Sequence, residues 1–274
     1  MSVANFKPTI WSRELLYSLK KAQVGNSLVN RDYQGDITRE GDTVKIQTPG
    51  SITTGAYTGA DISFQSLTSA TQSLAIDIAR YFAFLVDDVD QAQANVNLMQ
   101  SFMRESSYSL ADDADELILG KYVDADSANV LGPIALSTSN IYAQITEAKK
   151  ALSVANVPSI GRWIVFSPDE IALLENSTEF TAATSLGDET KRTGFVGRVA
   201  GLEVFESNNV VEVGSVRRNM FGYTGAITFA DQIISTEAGR REKGFSDFVK
   251  GLHVYGCKTV RANGIGVLQN ALPS

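Results

Sequence analysis

The sequence predicts an α+β protein of two domains, organised around one long helix, and three observations carry that reading. Apolar residues at Val89, Ala92, Val96, Met99, Met103, Leu110, Ala114 and Leu117 recur in steps of three, four or seven, which keeps one face of a helix apolar. The stretches 43–47 and 73–86 instead alternate apolar with polar residues, the period of a strand. From Ser139 onward, helical and strand-like patterns follow one another closely, and glycine-punctuated strands come after them.

Taken in order, the chain begins with a basic stretch. Residues 1–35 hold Lys7, Arg13, Lys20, Lys21 and Arg31 against Glu14 and Asp32, so this arm is +3 and the remainder of the −7 chain is −10. Such an arm has reason to lie against acidic surface, its own or a neighbour's. Within it TIWSRELLYSLKKAQ places Trp11, Leu15, Leu16 and Leu19 on one side of a short helix, which is marginal in water without a partner. GDTVKIQT then reads as a strand with Val44 and Ile46 on one face and Thr43, Lys45 and Gln47 on the other. Pro49, Gly50, Gly55 and Gly59 punctuate a long turn-rich excursion. Its return puts Leu74, Ile76, Ile78, Phe82, Phe84 and Val86 on one face, and a straight strand of that length would span about 46 Å, so a bend is expected near Arg80.

The long helix is expected over 91–119. Asp90 serves as N-cap with Gln93 three residues on, and Gly120 as a left-handed C′ residue. That is roughly 29 residues or about 44 Å, longer than a single compact domain ordinarily uses. Asp112, Asp113, Asp115 and Glu116 give its last turns the wrong sign for a helix C-terminus, so cations from elsewhere are expected to answer them. A projecting hairpin, an amphipathic arm and an overlong helix together predict a subunit stable chiefly among copies of itself.

The second domain is expected to start near Ser139. Ile141, Ile145, Ala148 and Leu152 are spaced as a helix that stops before Pro158, and RWIVF is a short buried strand. Ser167, Pro168 and Glu170 form a helix start with a capping box. GFVGRVAGLEVFESNNV reads as a strand pair, and the closing region as strands with His253, Tyr255 and Cys257 on one face.

Composition and motifs exclude most chemistry. Hydrophobic residues at 43% and charged residues at 20% are those of a globular chain, with no apolar run of membrane-spanning length. Cys257 and His253 are single, so neither an internal disulfide nor a zinc cluster is expected. No G-x-S-x-G accompanies His253, which is read as a structural residue, and Cys257 as a small buried hydrophobe. Asp87, Asp88 and Asp90 suit helix capping better than a cation, and Asp124, Asp126 and Asn129 lack the rest of a calcium loop. The pairs Arg217-Arg218 and Arg240-Arg241 are read as solvated loop charges or as partners of the helix-end carboxylates. No cofactor, metal or catalytic residue is expected. The net negative charge argues against a general nucleic-acid grip and fits a container that must not stick to its contents.

Arm, β excursion opened by VNRDYQGDITREGDTVKI, long helix, α+β domain with GFVGRVAGLEVFESNNV, and returning strands: in that order the chain resembles the major capsid protein of tailed double-stranded-DNA bacteriophages, the HK97-like fold. The resemblance implies an N-arm over 1–32, an E-loop over 33–79, a peripheral domain over 80–138 with the spine helix, an axial domain over 139–237, and return strands of the peripheral domain over 238–274. It implies a structural protein rather than an enzyme. Pentamers and hexamers of it would close an icosahedral head around packaged DNA held by non-specific contact, assembled in the bacterial cytoplasm with no membrane involved. Portal, a separate scaffolding protein and a decoration protein are the further partners implied. Trp11, Arg13, Leu15, Arg39, Lys45, Tyr57, Asp112, Asp113, Arg240 and Arg241 are the candidate intersubunit residues. Lys45, near the loop's base, is not expected to form the lysine–asparagine crosslink of some relatives. An encapsulin-like shell enclosing an enzyme is the alternative, and a small hydrolase using His253 or Cys257 the more distant one.

Overall fold

The computed structural model describes residues 24–32, 43–49, 52, 54, 69–87, 98–177, 195–241, 244 and 246–272. It opens on a short helix, α1 (Gly25–Leu28). Beyond it Asn30 runs parallel to Thr228. The Asn30 N–H donates to the Ile227 carbonyl at 2.9 Å, and the Phe229 N–H donates to the Asn30 carbonyl at 3.0 Å.

β1 (Thr43–Pro49) and β2 (Ser69–Ala75) form a two-stranded antiparallel ribbon in unbroken register. The alternating stretch 73–86 keeps its expected inner face: Leu74, Ile76 and Val86 are buried, and Ile78, Phe82 and Phe84 half-buried. It is two strands, however, and the break falls at Ile76–Asp77 rather than near Arg80. The cause is a change of partner, since β2 belongs to the ribbon whereas β3 (Ile78–Asp87) pairs with a strand near the end of the chain. At the break the Ala75 carbonyl passes directly over Gly256, where a Cβ would overlap it and come within 2.9 Å of Ile76 Cδ1. Only glycine permits that crossing.

α2 (Leu98–Gly120) is the long helix, 23 residues or about 35 Å. Asp90 and the expected first turns, through residue 97, lie outside the described residues. Gly120 is not a left-handed cap. It sits at φ −63°, ψ −17°, and the helix tightens into a 3-10 turn over Lys121–Asp124, after which the Ala125 N–H returns to the Tyr122 carbonyl. Such i→i+3 bonds satisfy the terminal carbonyls without a positive φ.

The buried stripe of α2 is wider than the one predicted because two sheets meet it. Met103 packs with Val86 and Val249, and Leu110 and Ala111 with Phe82. These contacts lie on a three-stranded antiparallel sheet ordered β10 (Ile227–Arg240), β11 (Ser246–Thr259), β3, with an irregularity between Ile233 and Ser235. Further along, Ala114, Ile118 and Leu119 join Leu28, Trp163, Phe229, Tyr255 and Ile265 in a second core. Burying Ile118 alone stabilises by roughly 2–3 kcal/mol.

That core lies on one face of a seven-stranded mixed sheet. Its order is β4 (Val130–Ile134), β12 (Ile265–Ala271), β9 (Val216–Tyr223), β5 (Arg162–Phe166), β7 (Leu202–Glu206), β6 (Phe195–Val199), with β8 (Val211–Val213) on β9. The opposite face carries α3 (Ile141–Val154) and α4 (Pro168–Glu175). α3 buries the four expected residues, and all five residues of β5 are buried. The capping box at Ser167 and Glu170 is present. β6 and β7 turn at Ala200 (φ 51°) and Gly201 (φ 90°), two positive φ values as a tight hairpin turn requires. The closing residues divide between the sheets, β11 pairing with β3 and β12 with β4 and β9.

Candidate functional site

The arm's root, the long helix and the base of the β ribbon converge on one side of the molecule. Asp115, on the buried face of α2, receives the chain as it leaves the arm: Oδ1 accepts from the Gly25 N–H at 3.0 Å and Oδ2 from the Val24 N–H at 3.3 Å. A Cβ on Gly25 would lie 2.7 Å from Ile118 Cδ1 and 2.8 Å from Asp115 Oδ1, so close approach of backbone to helix demands glycine. Burial pushes the Asp115 carboxyl up to about 6, against the two N–H donors that favour its charged form.

Six residues after Gly25, Arg31 forms an ion pair with Asp231 of β10, while its guanidinium stacks 5.5 Å from the Phe229 ring centre. His253 of β11 completes a buried group, its Nε2 lying 3.3 Å from Asp231 Oδ2 and its ring 4.9 Å from that of Tyr255. Burial, then the Arg31 charge, lowers the His253 pKa to about 4, so the ring is neutral near pH 7. Asp231 is thus shared between Arg31 and the neutral imidazole. The ribbon is fastened alongside: Val44, Ile46, Leu74 and Ile76 pack against Ala230 and Val254, and the Gln72 amide donates to the Val260 carbonyl.

The helix carboxylates are answered in three different ways, and the expectation of cations holds for Asp113 and Glu116, which share Arg80. Asp113 faces Arg80 at 3.6 Å, both partly exposed. Asp112 accepts a hydrogen bond from the Asn209 amide, and Asp115 takes backbone N–H groups. Arg217, expected in a loop, lies on β9 and pairs with Asp169 at 2.7 Å and Glu212 at 3.5 Å rather than with the helix carboxylates. Arg240 closes β10 and Arg241 follows it, both exposed, and Lys45 is exposed on β1. Trp11, Arg13, Leu15, Arg39 and Tyr57 lie outside the described residues.

Sequence reasoning missed Asp231 and Arg31 as a pair, and Glu170 as more than a cap. Glu170 is fully buried and accepts from the Ser167 N–H at 2.8 Å and from the Ser167 hydroxyl. It also accepts from the amides of Asn219 at 3.1 Å and Asn270 at 2.7 Å. This ties α4 to β9 and β12. Asp126 caps the Ala128 N–H, Asp124 accepts from Thr259, and Asn129 donates to two carbonyls, so the residues that resembled a calcium loop are engaged structurally. Among the described residues no three His, Cys, Asp or Glu side chains group as metal ligands, and no helix is long and apolar enough to cross a membrane. His253 is 1% exposed, and burial pushes the Cys257 thiol up to about 12, so neither has the setting of a nucleophile or its base.

Buried polar groups tie residues 24–31 to α2 and β10, and apolar packing seats the β1–β2 ribbon on β10 and β11, so the specialised features described here are structural anchors. Residues 71–268 match the family described as phage capsid protein. No curated protein matches the chain. Among solved structures it is similar to one from Mycobacterium phage Che8, with 31% identity, a TM-score of 0.74 and 90% of each chain covered. It is also similar to the capsid of Ralstonia phage GP4, with 13% identity, a TM-score of 0.72, and 93% of this chain and 92% of that one covered. A virus-like particle from Pyrococcus furiosus shares the fold at 13% identity and a TM-score of 0.59, over 95% and 98% of the two chains. The chain belongs to the phage capsid protein family. It is a major capsid protein of the HK97-like class, structural rather than catalytic, and associates with copies of itself in the shell of the virion.

Proposed function

We propose that copies of this chain form the pentamers and hexamers of an icosahedral head that encloses double-stranded DNA. The family match over residues 71–268 carries the reading. The body supports it, because among the described residues β3 pairs with β11 alone and its outer face leaves Tyr81 and Leu85 78% and 53% exposed. An apolar face beside a strand edge is a surface that a neighbour stabilises by covering. In this reading residues 139–237 are the axial domain and 80–138 with 238–274 the peripheral one, with β4 and β12 adding strands to the axial sheet and β10 running into the peripheral one. Residues 1–32 are the N-arm and 33–79 the E-loop. Trp11, Arg13, Leu15, Arg39, Lys45, Tyr57, Arg240 and Arg241 are proposed to contact neighbouring subunits, whereas Asp112 and Asp113 also serve partners within the chain. Assembly takes place in the host cytoplasm with a portal, and a separate scaffolding protein and a decoration protein are the remaining partners proposed.

Negative-stain imaging with sedimentation of the protein expressed alone tests this, with co-expression of a scaffolding protein as the second arm. Uniform closed shells are expected, and a lasting small oligomer in both arms refutes the reading. A second reading is an encapsulin-like nanocompartment enclosing protein, since the fold is shared with a virus-like particle from Pyrococcus furiosus as well as with phage capsids. Shell contents distinguish the two: nucleic acid absorbing at 260 nm in particles from infected cells supports the head, and a stoichiometric cargo protein supports the compartment.

A further inference from the structure

A cavity of about 400 Å³ opens between α3 and the start of β4, which is the edge strand of the seven-stranded sheet among the described residues. Ala151, Val154 and Ala155 bound it from one side of α3, and Leu131 of β4 lies across from them. Val154 is 75% exposed, so this apolar wall is uncovered within the described chain. The polar part of the lining is more specific. Asn129 ends the 3-10 turn Ser127–Asn129 and is 3% exposed. Its amide nitrogen donates to the carbonyls of Asn263 at 2.9 Å and Ile265 at 3.1 Å. Two acceptors on one side fix the orientation of the amide, so Oδ1 points away from them, and nothing among the described residues donates to it. Asp126, on the same lining, accepts from the Ala128 N–H at 3.0 Å through Oδ1 and pairs with no cation among the described residues, which leaves Oδ2 as a second acceptor. Lys150 at the rim does not supply the missing donor, because its ammonium lies 2.9 Å from Glu147 Oε2.

Two acceptors, one of them charged, at the end of an apolar wall call for N–H donors that carry positive charge on an apolar stem. An arginine side chain has both parts. Its planar fork of donors suits Asn129 Oδ1 and Asp126 Oδ2, and its methylene stem covers Ala151, Val154 and Ala155. A purely apolar side chain would strand both oxygens beneath it. We propose that this cavity seats an arginine of a second copy of the chain. The choice of a copy rests on the shell reading above and on supply, since Arg104, Arg241 and Arg261 are exposed and pair with no carboxylate among the described residues. Charge is thus left over on both sides of the contact, an unneutralised carboxylate in the cavity and unneutralised guanidinium groups on the surface.

The test uses the full-length protein with the photo-crosslinker benzoylphenylalanine at position 150, on the rim, assembled from a mixture of isotopically light and heavy chains. Irradiated shells are expected to give light-to-heavy links from position 150 to a stretch within a few residues of Arg104, Arg241 or Arg261. Links confined to one chain, links only to stretches without an arginine, or shells that give no links overturn the proposal. Asp126→Asn provides an independent readout, because asparagine keeps an oxygen for the Ala128 N–H and removes only the charge. Its unfolding midpoint is expected to match wild type while the protein concentration needed for assembly rises about tenfold. An unchanged assembly concentration also overturns the seat. A wild-type chain that stays monomeric with and without a scaffolding protein overturns the shell reading together with this one, whereas normal shells lacking the links overturn the arginine seat alone.

Discussion

Replacing Asp115 with asparagine should change how stability responds to pH, in a direction that the geometry fixes. The carboxyl is 6% exposed, and burial raises it from 3.8 to about 6. Between those values the folded chain binds a proton that the unfolded chain releases. Its contribution is therefore fully present below the unfolded value and is lost as pH rises through the folded one. At about 1.4 kcal/mol per unit the whole effect is about 3 kcal/mol, of which about 2 fall between pH 7 and pH 4. Asparagine keeps an oxygen for the Gly25 N–H but does not titrate. Urea unfolding of the unassembled full-length protein should therefore show wild type gaining about 2 kcal/mol on the variant as pH drops from 7 to 4. Other carboxylates are common to both proteins and cancel in the difference. A gap that stays constant across this range, or one that widens toward neutral pH, refutes the account of Asp115 as a desolvated anchor.

His253 should give the opposite slope. Its pKa is lowered from 6.5 to about 4. The stability it contributes is present above 6.5 and lost as pH falls toward 4, so wild type should lose about 3 kcal/mol relative to His253→Gln over that interval, measured by the same unfolding curves. Glu170→Ala strands the Ser167 N–H and the amides of Asn219 and Asn270 in a dry site, for a loss of roughly 3–5 kcal/mol read from the denaturation midpoint. Gly25→Ala forces a methyl against Ile118 and Asp115. It should cost about 1–3 kcal/mol and raise amide exchange over residues 24–30 while leaving the strands of the seven-stranded sheet protected.

Much of this fold was legible because its signals are local. The alternation from Leu74 to Val86, the spacing of Ile141, Ile145, Ala148 and Leu152, and the Ser167-Pro168-Glu170 start each depend on neighbours within a few residues, and each is present as read. The errors arose where a distant segment decides. Nothing near Asp77 announces that the strand changes sheets there. The cause is β11, some 170 residues later. Gly120 looked like a cap because glycine commonly is one, whereas a 3-10 turn made the positive φ unnecessary. The anchoring site was largely hidden for the same reason. Arg31 and Asp231 are 200 positions apart, and Glu170 meets Asn270 across 100. His253 was correctly read as structural, but its partner required the register of β10 on β11.

The crossing of Ala75 over Gly256 has a geometric consequence. Among the described residues the ribbon joins β3 through the short stretch Ile76–Asp77, whose position is fixed by a backbone contact and by the buried Ile76 side chain. Val44, Ile46 and Leu74 seat the base of the ribbon on Ala230 and Val254, so joint and base together set the direction in which the ribbon runs. A change of that direction would repack Leu74 and Ile76 against Val254, so the base of the ribbon moves only together with the sheet it rests on.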